Sequence, residues 1–159
     1  MRTLRDLLVV EAQDLHSGET LLWDSLRRIA ESARDARLGA LFAAQRAETK
    51  EQIARLETAL GRLGAAPSDD ECEAMEGIIA QAEELMEDDL PGELMDAALV
   101  ITASKVKHFE IASYRALVAL AGQAGVVVDA VEDAVQDHKS VGAGSSDGQG
   151  QRTRQRRTL

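Results

Sequence analysis

The residues best suited to chemistry in this chain are carboxylates that interrupt apolar helical stripes. In the first third, Leu4, Leu8, Glu11, Leu15, Glu19, Leu22 and Leu26 recur at spacings of three and four, the period of a helix with one buried face. Glu11 and Glu19 therefore fall on core-facing positions. A second stripe, Leu38, Phe42, Gln45, Glu48/Thr49, Gln52, Leu56 and Leu60, is interrupted at a similar depth if the two helices run antiparallel. Further on, His108 lies in line with Leu94, Ala98, Ile101 and Ala112, Glu110 with Leu99, Ala103, Val106 and Leu117, and Lys107 with Val100, Ala103, Ile111 and Val118. Three long helices thus carry ionisable groups inward, at midpoints that are able to meet.

A buried carboxylate is costly unless it is paired, protonated or bound to metal, and neighbouring carboxylates raise one another's pKa. A cation between them relieves both penalties. In four-helix bundles, inward Glu and His residues on facing helices build di-iron and di-manganese sites. The plainer alternatives are a half-exposed stripe glutamate at Glu11 or Glu19 and a hydrogen-bonded core histidine at His108.

The elements that must position these groups are helices. The stripes predict helices over about 3–33 and 35–63, the second stopped by Gly64, and Ser68, Asp69 and Asp70 offer N-caps for a short helix over about 70–88. A long helix over about 93–121 has a first half without a polar face, the pattern of a buried helix. A fifth, over about 124–139, carries Val127, Val128, Val131, Ala134 and Val135 on one side. Two long helices, a short one and two more make an all-α, ferritin-like four-helix bundle whose short helix lies on the crossover.

The 159 residues suit one domain. Hydrophobic residues make up 45% but aromatics only 3%, so Ala, Leu, Ile and Val must do the packing. A formal net charge of −10 argues against nucleic acid or an anionic membrane as partner of the body. No apolar run approaches the roughly 20 residues that span a bilayer, and the lone Cys72 suits a reducing compartment, so the expected location is cytoplasmic. Beyond Ser140 the chain turns to Gly, Ser, Gln and Arg, with only Val141, Ala143 and Leu159 apolar. The expected domain limits are accordingly 1–139 for the bundle and 140–159 for a flexible tail. Arg152, Arg154, Arg156 and Arg157 against Asp147 give that tail a net charge of about +3, suited to an acidic partner. Trp23 sits beside the central stripe and marks either a dimer contact or packing on the crossover helix. Cys72, flanked by Glu71 and Glu73, lacks the cationic neighbour that would make it a nucleophile.

The stretches LRDLLVVEAQDLHSGETLL, ETKEQIARLE, ECEAMEGIIA and DAALVITASKVKHFEIASY resemble the ferritin-like YciE/YciF stress-protein family, within the rubrerythrin/ferritin-like superfamily, over about residues 1–139. The run Asp96 to Tyr114 and the Cys72–Gly77 segment carry the resemblance most specifically. It implies a bundle, usually a homodimer, associated with stress responses and with no firmly established reaction. Position by position it points to Glu11, Asp14 and Glu19, to Glu48 and Thr49, to Glu76 on the crossover helix, and to His108 with Glu110.

The departures share a direction. Gln45 stands where the family usually has His, Lys107 where it has Glu, Gln81 where a carboxylate is common, and Gln136-Asp137-His138 replaces an acidic pair. The ligand set left for iron or manganese is Glu19, Glu48, Glu76, His108, Glu110 and Asp137. Lys107 is expected to supply the cation's charge in its place, pairing with Glu19, Glu48, Glu76 or Glu110, unless its stem carries the ammonium out to solvent. The expected function is a stress-associated bundle of the YciE/YciF type without an efficient di-metal oxidase site and with no catalytic residue assigned. The alternative is a di-metal oxidoreductase or metal-storage protein.

Overall fold

The computed structural model describes residues 1–88 and 90–126, and every regular element among them is helical. Helix α1 spans Leu4–Ser32, α2 Ala36–Arg62, α3 Glu73–Glu87 and α4 Gly92–Ala124. The expected helix over 124–139 lies outside the described residues beyond Val126, as does the tail.

Local chemistry sets the boundaries. The Thr3 hydroxyl accepts from the Asp6 N–H while the Asp6 carboxylate accepts from the Thr3 N–H, a capping box that opens α1. Asp35 caps α2 by accepting from the N–H groups of Arg37 and Leu38. The corner between these helices is tied to α4, because the Asp96 carboxylate accepts from the Arg34 and Asp35 N–H groups at 2.7 and 3.0 Å. Helix α2 ends where Gly64 adopts φ 71° and the Ala65 N–H reaches back to the Leu60 carbonyl, a closure that needs the left-handed conformation glycine allows.

Two boundaries differ from the sequence expectation. Ser68 and Asp70 cap each other's turn and Cys72 is the residue that precedes α3, so the short helix starts later than Asp70. Helix α4 continues through Gly122 to Ala124 and stops at Gly125, φ 66°.

Helix α1 packs against the other three helices and α3 packs against α4. Its buried line is Leu8, Ala12, Leu15, Gly18, Glu19, Leu22, Leu26 and Ile29, which leaves Leu4 44% exposed and Glu11 exposed. Ala12 rather than Glu11 continues the stripe, since one step along a helix turns a side chain by about 100°. Gly18 has a steric role: a Cβ there would stand 3.3 Å from Cys72 Sγ and 3.4 Å from Met75 Cβ, so the missing side chain lets the start of α3 close on α1.

Helix α4 is not buried all round. Leu94, Val100 and Ile101 are more than half exposed, whereas Met95, Leu99, Val106, Tyr114 and Leu117 are buried. Its apolar residues therefore divide between an inner face and an outer one.

The apolar core falls into two clusters. One gathers Leu8, Leu15, Leu56, Leu60, Tyr114 and Leu117. The other gathers Leu22, Leu26, Phe42, Met75, Leu99 and Val106. Of the buried polar residues, Glu19, Thr49, Gln52 and Glu110 come at chain positions between them on α1, α2 and α4, while Thr102 falls between Leu99 and Val106 of the second cluster.

Candidate functional site

That polar layer is the candidate site. Glu19 and Glu110 are 0% exposed. Each stands on the inner line of its helix, Glu19 between Leu15 and Leu22 and Glu110 between Val106 and Tyr114. On a helix, residues three or four apart share a face, which is why these two carboxylates cannot turn to solvent without taking their apolar neighbours along.

Lys107 Nζ lies 2.7 Å from Glu110 Oε2, with the Lys107 side chain 24% exposed and that of Glu110 1%. The pair is an i,i+3 contact on α4. The ammonium therefore turns inward rather than following its stem to solvent.

The electrostatics follow from burial. Loss of solvation pushes Glu19 well above the ordinary carboxylate range, the Glu110 charge adds to the rise, and the Tyr114 hydroxyl and Lys107 ammonium oppose it. Glu110 is also raised, first by burial and further by the charge of Glu48, against the pull of Lys107. Burial and the two carboxylates together drive the Tyr114 phenol well up, with Arg55 acting the other way. No hydrogen bond of standard geometry among the described residues reaches either oxygen of Glu19. Such a carboxyl is held most cheaply as the neutral acid. The layer thus joins an ion pair, Lys107–Glu110, to a carboxyl that burial biases toward its neutral form and a phenol.

The remaining expected ligands are placed less centrally. Glu48 is an exposed residue of α2 whose charge nonetheless reaches Glu110. His108 is exposed and its Nδ1 lies 2.8 Å from the Ser104 carbonyl on its own helix. Two residues along a helix turn through about 200°, so His108 cannot share a face with Glu110. The stripe on which the sequence placed it, with Leu94 and Ile101, is the outer one. Glu76 is exposed and lines a surface groove with His16, Asp24, Asp69 and Glu71, because its neighbour Met75 takes the inward position. Asp137 lies outside the described residues. Among the described residues, no three His, Cys, Asp or Glu side chains gather closely enough to hold a metal ion.

Tyr114 was not singled out from the sequence, though its position four residues after Glu110, as the only tyrosine in the chain, was the available signal. Asp14 is drawn to the crossover: it accepts from the Cys72 thiol at 3.3 Å, and the Cys72 N–H donates to Ser17 Oγ. Burial, with help from Asp14, pushes that thiol up to about 11, the opposite of what a nucleophile needs. Trp23 carries the Arg46 guanidinium of α2 over its ring at 3.9 Å.

Comparison with known proteins gives the same architecture. Residues 3–140 match the family described as a domain of unknown function, DUF892. Protein YciF of Escherichia coli strain K12 is 36% identical over 126 residues, which cover 79% of this chain and 76% of that protein. The crystal structure of the E. coli stress protein YciF superposes with a TM-score of 0.82 at 32% identity, covering 88% of this chain and 90% of that one. YcfI of Rhodopseudomonas palustris, which is proposed to be a structural protein, gives 0.83 at 30% identity with the same coverage.

Proposed function

The chain belongs to the DUF892 family and is a helical protein of the YciE/YciF type, and from that premise we propose that it serves in stress as a structural or accessory bundle rather than as a di-metal oxidase. The observation that carries this reading is the 2.7 Å pair between Lys107 and Glu110. An ammonium against the one buried carboxylate that faces Glu19 supplies the positive charge a divalent ion would otherwise bring, and a cation beside it would be repelled. The donor set accords with that: His108 and Glu76 face outward, and Glu19 is biased toward its protonated form, which ligates poorly. The residues described do not fit a di-metal centre.

The rival reading is a di-iron or di-manganese protein. It draws on Glu19 and Glu110 converging from different helices with Glu48 within electrostatic reach. Metal analysis separates the two. After loading with ferrous iron or manganese and removal of free ion, the protein should retain far less than one equivalent. Retention of two equivalents per chain would end the proposal.

A homodimer in the cytoplasm completes the proposal. Leu94, Val100 and Ile101, each more than half exposed on α4, give a second copy apolar surface to bury. No described helix is long and apolar enough to cross a membrane.

A further inference from the structure

Along the outer side of the α1–α2 pair runs a groove of about 500 Å³. Its floor is apolar: Trp23 and Leu26 from α1, Ala43 and Ala47 from α2. Its rim is cationic, with Arg27, Arg46 and Lys50 against a single carboxylate, Glu31. In a chain of net charge −10, that concentration of positive charge runs against the rest of the composition. Helical spacing produces it, since Trp23, Arg27 and Glu31 repeat every four residues, as do Ala43, Ala47 and, three further on, Lys50.

Arg46 is held in place from two directions. Its Nε donates to the Trp23 carbonyl at 3.0 Å and its guanidinium lies 3.9 Å over the Trp23 ring. A guanidinium carries five N–H donors, and no ion pair among the described residues engages the terminal nitrogens of Arg46. A planar, preoriented donor fork at the edge of an apolar trough suits a carboxylate or phosphate head whose body lies on the trough.

We propose that the groove between α1 and α2 binds an amphipathic anion, a single anionic head on an aliphatic body, with Arg46 and Lys50 holding the head and Trp23, Ala43 and Ala47 receiving the body. A bare inorganic anion leaves the floor unused, and a neutral amphiphile leaves the cations unused. A second copy docked about a two-fold axis through this groove would gather Arg27, Arg46 and Lys50 of both copies into one interface with only Glu31 of each to offset them, an excess of like charge that disfavours it. The small anion is the occupant that satisfies both floor and rim. This reading is independent of the polar layer in the core.

Trp23 is the only tryptophan in the chain, so its emission reports the groove directly. Decanoate titrated into the intact protein should shift Trp23 emission saturably, with a dissociation constant on the order of 10–100 μM for a ligand of this size in an open groove. Acetate, phosphate and decylamine should give no saturable shift, and decanol should bind at least tenfold more weakly. Lys50→Gln, which leaves the Trp23–Arg46 stack intact, should weaken decanoate about tenfold by calorimetry. Ala47→Leu, filling an exposed part of the trough, should abolish the shift while circular dichroism stays unchanged. Equal binding of decanoate and decanol, an unchanged affinity in both variants, or no saturable shift would each overturn the proposal. So would a ligand-free emission change that tracks protein concentration and sedimenting mass, which would give the groove to a second copy.

Discussion

Replacing Lys107 with Met removes the ammonium and keeps the length of the stem. At 2.7 Å the gross attraction to Glu110 is about 6 kcal/mol at an effective dielectric near 20. That figure is not the loss, because Glu110 has an escape. It starts from an ordinary value of 4.5, so taking up a proton at pH 7 costs about 3.4 kcal/mol at 1.36 kcal/mol per unit, and the variant cannot lose more than that through this group. Lys107 is 24% exposed, and solvent screening lowers the expected loss to about 2–3 kcal/mol. At pH 5 the same escape costs only about 0.7 kcal/mol. The sign follows: without Lys107 the folded-state pKa of Glu110 rises further above its unfolded value, so stability is intact below pH 4.5 and is lost as pH climbs. Urea unfolding of wild type and Lys107→Met should therefore differ by about 2–3 kcal/mol at pH 7, a melting shift of roughly 5–10 °C, and by less than about 1 kcal/mol at pH 5. A loss of the same size at both pH values, or none at pH 7, would refute the reasoning.

Three more outcomes follow from other contacts. Glu19→Gln fixes the neutral form that burial favours, and since the raised pKa of Glu19 costs the wild type stability as pH rises above about 4.5, the variant should match wild type near pH 4 and exceed it by up to about 3 kcal/mol at pH 7–8 in thermal melts. Gly18→Ala puts a Cβ 3.3 Å from Cys72 Sγ, and crowding of the α1–α3 contact should outweigh the gain in helix propensity, with a net loss of about 1 kcal/mol in chemical denaturation. If the proposed dimer uses this face, Ile101→Asp combined with Val100→Asp, both on the outer face of α4, should halve the mass seen by light scattering while leaving the helix signal intact; an unchanged mass would rule this face out as the contact.

Much of the bundle was legible because its stripes obey helical spacing over many turns. On α1 the inner line repeats at four and three residues from Leu8 to Ile29, and Glu19 falls on it whichever neighbouring phase is chosen. Glu11 did not survive because at the helix's first turns the phase rested on Leu4, an exposed residue. Helix α4 misled for a related reason. With Val100 and Ile101 as apolar as Met95 and Leu99, hydrophobicity alone does not say which side faces the core, and His108 was read onto the outer side. Glu110 and Lys107 escaped that error because Glu110 shares a face with Val106 and Tyr114, and the pair lies one turn apart. Glu76 came from family resemblance rather than from periodicity, and Met75 holds the inward position beside it. The Trp23–Arg46 stack was beyond reach of sequence, since it joins two helices at positions that lie off both stripes.

In the proposed function, Lys107 takes by charge the place of a divalent ion beside Glu110. Crystals soaked in manganese and measured for anomalous scattering test it most directly. The expected result is no anomalous peak between Glu19 and Glu110, with Lys107 Nζ in contact with the Glu110 carboxylate. A strong peak coordinated by both glutamates, with Lys107 turned out to solvent, would contradict it.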